Sequence, residues 1–138
     1  MLKRDTDFHL VEAQYAFAFA QGVRIRPGIT YIRGSADGDA NSFDEFQGKV
    51  SFVYPYEQWQ FFGNIYLGWA DYDEVNPIFN DSREDKTFGT TLGFGYSAPF
   101  GWKNFMASVF TSYKKQDANI KFYDSTSMIG AIGLSWIF

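Results

Sequence analysis

Cysteine is absent from this sequence, histidine occurs once (His9), and proline only four times. Without cysteine there is no disulfide framework and no thiolate metal site. Hydrolytic or acyl-transfer chemistry would need His9 beside a nucleophile, and no serine and aspartate pattern accompanies it, so no enzyme is expected. No apolar run reaches the roughly 18 residues that a transmembrane helix requires. The opening "MLKRDTDF" is too polar for a secretory signal. Leucine is scarce, and 13 glycines interrupt any helical reading. Positive charge is also short. A net charge of −4 argues against a nucleic-acid partner.

What the chain has in excess is aromatic surface: 16 Phe, 9 Tyr and 4 Trp, or 21% of 138 residues, beside 20% charged residues. A soluble core draws instead on Leu, Val and Ile. The length suits one domain. Its dominant pattern is alternation with period two. Phe88, Thr90, Leu92, Phe94 and Tyr96 oppose Gly89, Thr91, Gly93 and Gly95. Trp59, Phe61, Ile65, Leu67 and Trp69 oppose Gln60, Asn64 and Tyr66. Val23, Ile25, Pro27, Ile29 and Tyr31 oppose Arg24, Arg26 and Thr30. Phe46, Val50, Phe52 and Tyr54 oppose Gln47, Lys49 and Ser51. Similar sets run through Val11–Phe17 against Glu12 and Gln14, and through Phe105–Tyr113 against Ser108 and Ser112.

Seven strands follow, near 8–20, 22–35, 45–55, 58–72, 86–98, 103–116 and 126–138. Tight turns are expected at Gln21-Gly22, at "PYEQ" (55–58) and at "APFGWK" (98–103). Long polar loops are expected at "SADGDANSFDE", "DYDEVNPIFNDSREDK" and "KKQDANIKFYDS". "RDTDF" at 4–8 and "EDKTF" at 84–88 begin similar units, so one hairpin repeats three times before a closing strand.

Alternation alone fits a soluble sandwich or a lipocalin-like barrel as well as a membrane barrel. Two features favour the membrane. Aromatics mark both strand ends: Tyr15, Tyr54, Tyr96 and Trp59 near the short turns, and Tyr31, Trp69 and Tyr113 near the long loops. Such girdles suit the two headgroup levels of a bilayer. The strands are also long enough for a tilted crossing. The expected fold is therefore all-β, a transmembrane antiparallel up-and-down barrel or the C-terminal segment of a larger one, in the bacterial outer membrane. Its expected lumen face carries Glu12, Gln14, Arg24, Arg26, Gln47, Lys49, Gln60 and Asn64. Arg24, Arg26 and Lys49 would favour anions along an aqueous path, or would pair with Glu12 in a polar plug. No cofactor is implied.

The chain ends in "MIGAIGLSWIF", with Ile132, Leu134, Trp136 and Phe138 at alternate positions. This ending resembles the C-terminal strand of Gram-negative outer-membrane barrels. The resemblance implies that these four residues serve as the signal read by the barrel assembly machinery. The stretches "NPIFNDSREDKTFG", "YKKQDANIKFYDS" and "GLSWIF" resemble the C-terminal repeats of an uncharacterised outer-membrane barrel family of unknown function. "DANIKFY" also resembles the final hairpin of surface lipoprotein assembly modulators, with Ala118 where those carry Ser. Neither resemblance supplies a catalytic residue.

Bacterial single-chain barrels have even strand counts. Seven strands therefore imply at least one more ahead of residue 8, either preceding Met1 or made by residues 1–7 as a short edge strand closing eight. A fragment left with open edges would pair them with another copy. "DGDANSFDE" begins like an EF-hand loop at Asp37, Asp39 and Asn41, but Ser42 and Gly48 occupy its glycine and glutamate positions, so a solvated loop is expected. Asp71, Asp73 and Glu74 form a second acidic group, read as hydrated loop rather than as a site for ions bridging lipopolysaccharide. Pro27 is expected to mark a bulge. The functional expectation is a passive porin-like channel for small polar solutes. The alternative is a non-conducting scaffold or assembly barrel that engages a lipoprotein, lipid or partner protein through its loops.

Overall fold

The alternating segments pleat into strands because period-two patterning places one residue class on each side of an extended chain. The computed structural model describes residues 6–36 and 42–136. Its strands are β1 (Thr6–Gln14), β2 (Phe17–Ala18), β3 (Arg24–Ala36), β4 (Phe43–Tyr56), β5 (Trp59–Asn76), β6 (Asp81–Ser97), β7 (Phe105–Ala118) and β8 (Ser125–Trp136). They form one sheet in the order β1-β3-β4-β5-β6-β7-β8, with β2 also paired to β3. Every pairing is antiparallel. The fold is thus an all-β up-and-down meander, with no α-helix among the described residues. β1 and β2 are two pieces of one crossing, so the described residues cross the sheet seven times. β8 does not pair with β1, and the sheet is open.

Pro27 behaves differently from expectation. β3 and β4 run in register through Pro27 and Val50, and β1 and β2 keep one register on either side of it. There is no bulge. Tyr15 donates its N–H to the Pro27 carbonyl at 3.0 Å. Proline has no N–H to return, so the edge ladder breaks at Tyr15 and Ala16. The register shift lies elsewhere, between Asp71 and Val75 of β5.

The expected polar loop from 71 to 86 is mostly strand. β5 is 18 residues long and β6 is 17, leaving a turn at 77–80. Of the residues 1–7 considered as a closing edge strand, Thr6 and Asp7 extend β1 opposite Ala36 and Ser35, and the rest lie outside the described residues. The short turns fall where expected, with left-handed Gln21, Glu57 and Ala98 completing them.

Among the described residues the buried apolar side chains are Ala70, Pro99 and Ile120, and no large side chain is fully enclosed. The accessible surface is 10257 Å², against about 7,300 Å² for a compact monomer of this mass. Among the described residues no second layer of secondary structure covers either face.

Candidate functional site

Register assigns every strand residue to one of two faces. The outer face carries Ile25, Ile29, Phe46, Val50, Phe61, Ile65, Leu67, Phe88, Leu92, Phe94, Ile132 and Leu134, all exposed. Aromatics border this band. Near the short turns, Tyr15 packs edge-on against Phe17 at 4.7 Å, Trp59 meets Tyr96 at 4.7 Å, and Phe105 stacks on Trp136 at 5.9 Å. Tyr54 lies opposite Phe61. Toward the long connections, Tyr31 pairs with Phe46, and Phe46 with Trp69. Tyr113 falls opposite Thr90, which faces Ile65. Both borders therefore step along the strands from β3 to β8, as strands tilted in a barrel wall do. Trp59 and Trp69 stand ten residues apart on β5, about 33 Å along the strand and about 25 Å once tilted.

Charges begin beyond this border. Arg33 Nη1 donates to Asp44 Oδ2 at 2.6 Å, and its two terminal nitrogens donate to Asp73 at 3.0 and 2.6 Å. Tyr31 donates to Asp44 at 2.5 Å. The hydrogen bond to Asp73, with both carboxylates nearby, raises the Arg33 pKa further above its ordinary value. Asp73 is thus held by arginine rather than left open to a divalent ion. Asp37, Asp39 and Asn41 lie outside the described residues, as does Phe138; Ile132, Leu134 and Trp136 lie on the outer face of edge strand β8. His9 lies exposed on the outer face of β1.

The inner face gathers the eight polar residues singled out from sequence. Glu12 aligns with Thr30 and Gln47. Gln14, Gly28, Lys49 and Tyr66 form the next row. Arg26, Ser51 and Asn64 follow, then Arg24, Val53 and Phe62, while Gln60 stands opposite Pro55. Sequence reading missed Lys114, which joins the Lys49 row through Tyr66 and Gly89. Its alternation with Ser112 was the available signal. Among the described residues no carboxylate pairs with Arg24, Arg26, Lys49 or Lys114. Glu12 forms no ion pair with any of them among the described residues.

Two acidic groups of the inner face, Glu45 and Asp85, sit nearer the long connections and are hydrogen-bonded. Gln47 donates to Glu45 at 2.5 Å. Arg83 grips Asp85 through Nε at 2.8 Å and Nη2 at 2.5 Å, and Gln116 adds a bond of 2.9 Å. The Arg83 guanidinium lies 3.7 Å from the Tyr123 ring centre and 4.7 Å from that of Tyr72. Burial opposes its charge, but the Asp85 bond and the two tyrosines outweigh it and hold its pKa above the ordinary value. Beside this group, Glu45, Tyr66, Tyr72 and Lys114 line a cleft of about 250 Å³. Asp85 is only 6% exposed. Arg83→Ala should therefore cost about 1–3 kcal/mol by stranding a buried carboxylate. Denaturant unfolding of the two proteins measures it, and a change below about 0.5 kcal/mol, the surface-substitution range, refutes the clamp.

No metal-binding group of three acidic, histidine or cysteine residues occurs among the described residues. What the site offers is a polar wall: a basic middle, a satisfied acidic end, and an apolar outer surface.

The curated proteins include no match to the chain. A family model described as a protein of unknown function (DUF2860) matches residues 1–136, and the chain belongs to that family.

Proposed function

We propose that this chain forms the wall of an outer-membrane β-barrel, a porin-like passive channel for small polar solutes. The observation that carries this reading is the inversion of the usual burial. The large apolar side chains of the outer face are exposed in one band bordered by aromatics, while the strand charges level with that band, Arg24, Arg26, Lys49 and Lys114, lie on the opposite face among other polar and aromatic side chains. Water does not reward such an outer surface, whereas hydrocarbon solvates it. Lipid demands that backbone groups be paired within the protein, and each interior strand is hydrogen-bonded on both sides. The barrel assembly machinery would act on β8, and lipopolysaccharide would surround the band's outer border.

Arg24, Arg26, Lys49 and Lys114, which pair with no carboxylate among the described residues, give the channel a preference. Fixed positive charge along an aqueous path concentrates anions. In planar bilayers the protein carrying this wall should show discrete conductance steps, with a reversal potential on the anion side in a salt gradient. The double variant Lys49→Glu/Lys114→Glu should move that potential toward cations. Unchanged selectivity would remove these lysines from the path.

A second reading has its own observation. Ile78 and Phe122, at adjoining connections, are 81% and 77% exposed, and Phe79 packs on Phe122 and Tyr123 at 5.8 and 6.0 Å. Such a greasy, ordered tip suits a scaffold that engages a lipoprotein, as the resemblance to lipoprotein assembly modulators implies. Electrical silence of correctly inserted protein would favour this reading and overturn the channel.

A further inference from the structure

The two open edges of this sheet run in the same direction. The crossing made by β1 and β2, and the one made by β8, are the first and seventh of an alternating antiparallel series. Joined directly, they would meet in parallel. The structure leaves them unjoined. A seven-strand closure would also be narrower than the smallest barrels, of about eight strands, which side chains already fill. Here the inner face holds Phe8, Phe43, Phe62, Tyr66, Tyr72 and Phe110.

A second copy does not cure the mismatch. Two copies related by an axis along the membrane normal keep the same up-down sense, so both seams would again be parallel. Pairing β8 with β8 of an inverted copy would make an antiparallel seam. That arrangement puts the Arg33–Asp44–Asp73 cluster on opposite sides of the membrane in the two copies, which insertion in a single orientation forbids.

We infer that the sheet is completed by an odd number of antiparallel strands from the same polypeptide outside residues 1–138, seated on the edges of β1 and β8. This rests on the barrel reading above. The edge chemistry specifies the occupant. β8 presents Met128, Ile132, Leu134 and Trp136 outward and Ser127, Ala131, Gly133 and Ser135 inward. A strand beside it continues the wall if it alternates apolar with small or polar residues. Its backbone must supply the bonds that an edge in lipid cannot leave open.

The test uses the full-length protein in its own membrane, with a photoactivatable benzoylphenylalanine placed singly at Leu10, Ser127 or Ser135. Crosslinked peptides are identified by mass spectrometry. The expected products are intrachain, joining each edge to segments outside residues 1–138, with Ser127 and Ser135 reaching the β8 neighbour in reverse sequence order. A crosslink from Ser127 into β1 of the same chain shows parallel closure and overturns the inference. So does a crosslink into β8 of another copy, or into a different polypeptide. If no position crosslinks, hydrogen exchange decides. β8 amides aimed away from β7 should be as protected as those aimed toward it, and rapid exchange of the former refutes closure. The same photoprobe at Val50, on the outer face, should capture lipid. Capture of protein there defeats the barrel reading itself, separately from the strand count.

Discussion

Ile65→Arg is expected to destabilise the folded protein in lipid vesicles by about 2–4 kcal/mol, the cost of arginine at the bilayer midplane on a barrel's outer surface. Ile65 is 49% exposed and lies on β5 between Trp59 and Trp69, with Val50 and Thr90 as its cross-strand neighbours. In water, a substitution at so exposed a site away from special contacts stays within about 0.5 kcal/mol. The two solvents therefore predict results that do not overlap. Urea titration of vesicle-inserted wild type and variant, read by tryptophan fluorescence, makes the comparison. Asp71→Arg serves as control, because Asp71 lies past Trp69 on the same face and should tolerate the charge. Equal tolerance at Ile65 would show that hydrocarbon does not contact this band.

Gly89→Ala should cost about 1–3 kcal/mol through overpacking. A methyl built at Gly89 would collide with Tyr66 Cε1 and stand 2.5 Å from its Cζ. The Tyr66 ring occupies the space above the glycine, so the ring must move away before any side chain fits. Lifting it projects the ring into the row that holds Lys49 and Lys114. The variant should therefore lose conductance as well as stability. Tyr66→Ala removes the obstacle. In that background most of the Gly89→Ala cost should vanish, with a coupling energy of about 0.5–3 kcal/mol for two residues in contact. If Gly89→Ala costs the same with and without the tyrosine, the ring does not occupy that space.

Both variants exploit a feature that was plain in the sequence: which side chains share a face. Alternate Cβ atoms of a strand point oppositely whatever the neighbours are, so Ile65 and Tyr66 were separable without coordinates. The outer reaches of β5 and β6 were not legible. From Asp71 to Asn76 and from Asp81 to Asp85 the hydrophobic alternation fades, because both faces there meet polar surroundings. The ladder nevertheless continues to Asn76 and Asp81. It is held by contacts distant in sequence: Arg33 to Asp73, and Arg83 between Tyr72 and Tyr123. Arg83 and Asp85 looked like loop charges for the same reason. Pro27 was legible as a missing donor, but whether the chain would bulge or simply leave a gap depended on the partner at Tyr15.

By itself the sequence determined the all-β class, the alternation of crossings, and the two faces, since pleat geometry converts local order directly into sidedness, but it did not show the first crossing split into β1 and β2. Only the tertiary structure decided the register, and with it three things: the stepped aromatic borders, the joining of Lys114 to Lys49, and the like direction of the open edges. Those properties belong to pairs of strands, whose alignment is set by backbone hydrogen bonds and side-chain fit between segments that no local pattern relates.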